Sequence, residues 1–74
     1  MDNAEMVYKR NCKEKLLNLN AYLFVNDCEN SFIFTKESGL IILSDTVGFI
    51  NSFETWENVW NYLIAFEVGV RCRF

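Results

Sequence analysis

The spacing of apolar residues along this chain changes several times, and each change predicts a new element. From residues 4 to 17, Ala4, Tyr8, Cys12, Leu16 and, just beyond, Leu19 recur at steps of four, four, four and three. That is one stripe of an amphipathic helix, with Lys9, Arg10 and Lys13 off the stripe. Asp2 and Glu5 suit the positive end of such a helix. From Leu19 the period reads as two: Leu19, Ala21, Leu23 and Val25 alternate with Asn20, Tyr22, Phe24 and Asn26, which predicts a strand. Asn26-Asp27-Cys28-Glu29-Asn30 is a turn by composition, Ser31 to Lys36 a second strand, Glu37-Ser38-Gly39 a tight turn and Leu40 to Leu43 a third strand. Residues 51 to 67 predict a second helix. Asn51 and Glu54 are spaced as a capping box, and Phe53, Trp56, Val59, Trp60, Leu63, Ile64 and Phe66 form a broad apolar face. Val68, Val70, Cys72 and Phe74 then alternate with Gly69, Arg71 and Arg73, which predicts a final strand.

The expected fold is therefore α+β, a single domain over residues 1–74 with element order α-β-β-β-α-β. Short turns between neighbouring strands imply an antiparallel meander. Two helices packed on one sheet face are the simplest way to bury both stripes.

Composition narrows the chemistry. At 51% hydrophobic residues the chain is too apolar to stay disordered, yet its longest apolar runs are too short to span a membrane. The opening Met1-Asp2-Asn3-Ala4-Glu5 lacks an apolar signal region, so a soluble, cytoplasmic protein is expected. The absence of histidine removes Ser-His and Cys-His catalysis and imidazole zinc sites. Cys12, Cys28 and Cys72 have no metal or disulfide spacing, and the first and last are expected to be buried. Gly39, Gly48 and Gly69 form no phosphate loop. The spacing of Asp27, Glu29 and Asp45 is not that of a calcium loop. The expectation is a non-enzymatic protein with no cofactor and no metal.

Charge supplies the functional reading. Net charge is −3, but from residue 16 to 70 Lys36 is the one base against seven acids. On the expected topology Asp27, Glu29, Asp45, Glu54 and Glu57 gather at one end of the sheet. Such a surface docks on a basic groove and competes with nucleic acid for its binding protein. Direct nucleic-acid binding is not expected, because the paired aromatics lie among carboxylates. Tyr22, Phe24, Phe32 and Phe34 instead predict an exposed aromatic sheet face, a partner site in its own right. In size, charge and element order the chain resembles phage-encoded inhibitors of bacterial nucleases, including anti-CRISPR proteins. That resemblance implies an inhibitor of a nucleic-acid-binding protein. The alternative is a structural homodimer, assembled through the aromatic sheet face or a strand edge.

Overall fold

In the computed structural model, which describes residues 3–73 and of Arg73 the backbone alone, the first helical stripe does not stop at Leu17. Helix α1 runs Asn3–Val25 and buries Cys12, Leu16, Leu19 and Leu23, a 4-3-4 spacing along one face. The expected strand over residues 19–25 is thus the last turns of this helix. Ala21 and Val25, which that strand would bury with Leu19 and Leu23, are exposed. Three strands follow, β1 Phe32–Glu37, β2 Leu40–Asp45 and β3 Phe49–Phe53, then helix α2 Trp56–Arg73. The fold is α+β with order α-β-β-β-α, and the sheet is an antiparallel meander β1-β2-β3.

The β1–β2 hairpin follows from its turn. Ser38 and Gly39 both take positive φ (53° and 80°), as a two-residue type I′ connection requires. Strand β3 was not expected from the sequence; it is short and irregular, with a bulge opposite Leu43/Ser44. Its presence moves the start of α2 to Trp56. The expected Asn51–Glu54 capping box does not form. Thr55 caps instead, its Oγ1 accepting from Asn58 N–H at 3.2 Å, while the Glu5 carboxylate of α1 accepts from Trp56 N–H. At the other end α2 continues through residues 68–73, where a strand was expected. Val70 is buried, but Val68 and Cys72 face solvent, so their alternation carries no burial. Asp2 and Phe74 lie outside the described residues.

The chain reverses at every connection, so three intervening strands return α2 parallel to α1. Contacts confirm the register: Glu5 meets Trp56, Lys15 pairs with Glu67 at 2.9 Å and lies over the Trp60 ring, and Arg71 lies over the Tyr22 ring. The core sits between the helices and one sheet face. Phe32, Phe34, Ile41, Leu43 and Phe53 point inward toward Trp56, Val59, Leu63 and Val70. Edge-to-face rings tie Phe32 to Phe66 and Phe34 to Trp56, at 5.1 and 5.2 Å between centroids. Trp60 is half-buried under Lys15 rather than fully in the core.

Both sheet edges are occupied locally. The Asn20 side chain on α1 donates to Phe32 C=O at 3.0 Å and accepts from Phe32 N–H at 2.7 Å, completing the pairing that a fourth strand would supply. Since Phe32 bonds outward, the alternation of an antiparallel ladder turns Ile41 and Leu43 toward β3 and leaves the Ser52 backbone facing out. There the Asn51 side chain accepts from Ser52 N–H at 2.8 Å.

Candidate functional site

The site begins where α1 ends. Cys28 N–H reaches Leu23 C=O at 2.9 Å and Asp27 N–H reaches Phe24 C=O at 3.1 Å, the paired bonds of a Schellman cap. Asp27 takes the left-handed position with φ 59°, where glycine is usual, so its carboxylate is thrown outward beside the exposed Glu29. Asn30 then locks this loop to the β2–β3 loop. Its Oδ1 accepts from Thr46 N–H and Oγ1–H, and its Nδ2 donates to Asp45 Oδ2 at 3.3 Å. The other Asp45 oxygen accepts from Val47 and Gly48 N–H, each at 2.9 Å. These bonds favour the ionised form, the one from Gly48 foremost, and hold the Asp45 carboxyl below its ordinary 3.8 against opposing desolvation.

Between these loops and the last turns of both helices lies a cleft of about 290 Å³, walled by Leu23, Phe32, Ile50, Phe66 and Val70 with Cys28, Asn30 and Asp45 at its polar side. Gly69 lines it too, and a Cβ there would meet nothing within 4 Å. A shallow groove continues outward from Cys28 and Asn30 past Asp27 and Glu29 to Phe24, which is 81% exposed. Because the helices are parallel, both carboxyl-terminal ends point here; that of α1 adds partial negative charge to three carboxylates, while α2 carries Arg71 and Arg73 in its last turn. No basic residue lies in the last turn of α1. The nearby Arg71 is turned to the Tyr22 ring and to Glu67 at 3.8 Å. Among the described residues no cation pairs with Asp27, Glu29 or Asp45.

The structure thus brings together three of the five acids expected to cluster. Glu54 and Glu57 lie at the opposite end of the sheet, beside the β1–β2 turn and the start of α2. The unforeseen strand β3 carries the chain back across the sheet before α2 begins. There Glu57 occupies the first turn and serves the positive helix end. The expected aromatic sheet face does not form either. Phe32 is buried and Phe34 half-buried on the covered face, while Tyr22 and Phe24 belong to α1. Of the three thiols Cys12 is buried and pushed up to about 11, by burial first and by the Glu5 charge second, Cys28 is half-buried, and Cys72 is exposed, contrary to expectation.

Asn30, which joins the two loops of the candidate site, is the residue that sequence reasoning passed over. The Asp45-Thr46-Val47-Gly48 run, an acid followed by glycine three residues on, carries the signature of the Asx turn to which it binds. Among the described residues no group of three or more metal-ligating side chains converges, and no helix is long and apolar enough to cross a membrane. Comparison with family models, curated proteins and solved structures returned no match.

Proposed function

We propose that this chain is a non-enzymatic protein-binding module whose acidic end docks on a basic surface of another protein. The observation that carries the reading is the convergence of Asp27, Glu29, Asp45 and the carboxyl end of α1 around an apolar cleft. Charge steers and orients the encounter, and the cleft takes one apolar side chain of the partner as its anchor. Proteins that hold phosphate backbones do so with lysine and arginine, so a nucleic-acid-binding surface meets the requirement and the bound module acts as its inhibitor. The unpaired cysteines suit a reducing, cytoplasmic setting.

The test is capture from a lysate by the wild type and by Asp27→Lys/Glu29→Lys, followed by binding kinetics of the captured protein at two salt concentrations. Asp45 is left intact because it holds the loops together. The double reversal slows association about tenfold or more at low salt and flattens the salt dependence. An unchanged rate and salt slope refutes the acidic end as the docking surface. Loss of nucleic-acid binding by the captured protein in the presence of the wild-type module supports the inhibitor reading.

A further inference from the structure

The helices cover one face of the sheet and leave the other bare. On that face β1 places Ile33, Thr35 and Glu37, β2 places Leu40, Ile42 and Ser44, and β3 places Phe49 and Ser52, as the pairings Ile33–Ser44, Thr35–Ile42 and Ser44–Phe49 require. Ile33 is 54% and Phe49 66% exposed, and Val47 on the adjoining loop is 92% exposed. We propose that this face packs against the same face of a second copy of the chain, as a two-fold symmetric sheet-on-sheet dimer. The inference rests on other side chains than the acidic end, which this face adjoins at the loop carrying Val47.

Charge selects the occupant. The chain carries ten acids against seven bases, yet among the described strand residues on this face Glu37 alone is ionisable, and it sits at the corner. A two-fold axis lying in the interface and across the strands lays β1 over β1 of the second copy and carries each Glu37 to the opposite end from its mate, so two copies meet without opposed charges. A surface with one carboxylate offers a strongly charged partner nothing to pair with, whereas it is complementary to itself in being apolar and hydroxyl-bearing.

The edges argue the same way. Asn20 occupies the β1 edge at Phe32 and Asn51 takes the Ser52 N–H of the β3 edge, so each edge is blunted at one residue, whereas the bare face is open along its whole length. Three strands of five to six residues make a plate of about 14 by 20 Å at ordinary strand spacing. With side-chain relief and Val47 that is roughly 500 Å² of accessible surface per copy, or about 1,000 Å² in a pair, the threshold of a specific interface. An interface at that threshold is a weak one, so association should depend on protein concentration.

Sedimentation velocity of the full chain from low to hundreds of micromolar tests this. The expected result is a concentration-dependent rise from 8.7 kDa toward twice that mass. Phe49→Glu should hold the chain monomeric throughout. Thr35→Lys and Thr35→Glu should each do the same, and because Thr35 at the middle of β1 faces its own counterpart across that axis, mixing these two should restore association. Circular dichroism of every variant checks that it folds. A wild-type chain that stays monomeric overturns the proposal and leaves the face to a different protein. So does a dimer indifferent to Phe49→Glu and Thr35→Lys, which would place the contact elsewhere.

Discussion

Asn20→Ala offers the sharpest test of how helix and sheet are joined. The Asn20 amide makes two hydrogen bonds to one residue of β1, at 2.7 and 3.0 Å in a part-buried setting. Each bond is worth about 0.5–1.5 kcal/mol net, and truncation also leaves Phe32 N–H and C=O with restricted access to water, so the gross loss is about 2–3 kcal/mol. Alanine favours the helix over asparagine by about 0.5 kcal/mol, which leaves a net loss of about 2 kcal/mol. A 74-residue domain has a total stability of about 4–11 kcal/mol, so this is a large share. At an unfolding entropy of about 2.1 cal/mol/K per residue, Tm falls by about 10–15 °C. Thermal melts by circular dichroism at one fixed concentration measure the shift. Amide exchange supplies the local readout: Phe32 N–H, protected in the wild type, should exchange far faster in the variant while Leu43 N–H keeps its relative protection. A Tm change under about 3 °C with Phe32 N–H still slow would refute the edge-pairing role of Asn20.

Two further outcomes follow from local geometry. Asp27→Gly should raise stability by about 1 kcal/mol in a denaturant melt, because it relieves a left-handed aspartate and removes a negative charge from a negative helix end; a loss of stability would mean that the Schellman turn depends on the Asp27 side chain. Timed thiol labelling of the native protein should modify Cys72 first, Cys28 more slowly, and Cys12 only on unfolding, since burial shields Cys12 and keeps it protonated. Labelling of Cys12 at the rate of Cys72 would contradict the packing of α1.

What the sequence made legible, and what it hid, follows from how the period was sampled. The hairpin was plain, because Ser38-Gly39 between apolar runs permits few alternatives. Residues 19–25 were ambiguous: Leu19 and Leu23 satisfy both a step of four and two steps of two. Leu16 decides for the helix, since Cys12, Leu16, Leu19 and Leu23 form one continuous stripe. Residues 68–74 misled for the opposite reason, since valines in a helix need not be buried; Val70 is, and Val68 is not. Strand β3 was hidden because its bulge breaks the alternation of Phe49, Ile50 and Asn51. That one omission divided the acidic site. Asp27, Glu29 and Asp45 needed only the local turns to be right, whereas Glu54 and Glu57 depended on the number of strand reversals before α2.

The parallel pairing of α1 and α2 also governs the order in which the molecule can assemble. Glu5 meets Trp56 and Lys15 meets Glu67, contacts that close loops of about fifty residues. The hairpin closes a loop of only two, so it can form early, while the helices must wait for nearly the whole chain. On a ribosome adding about 5–20 residues per second, α1 emerges several seconds before its partner, with Leu16, Leu19 and Leu23 uncovered. During that interval the charged flank of Lys9, Arg10 and Lys13 helps keep a nascent apolar helix in solution.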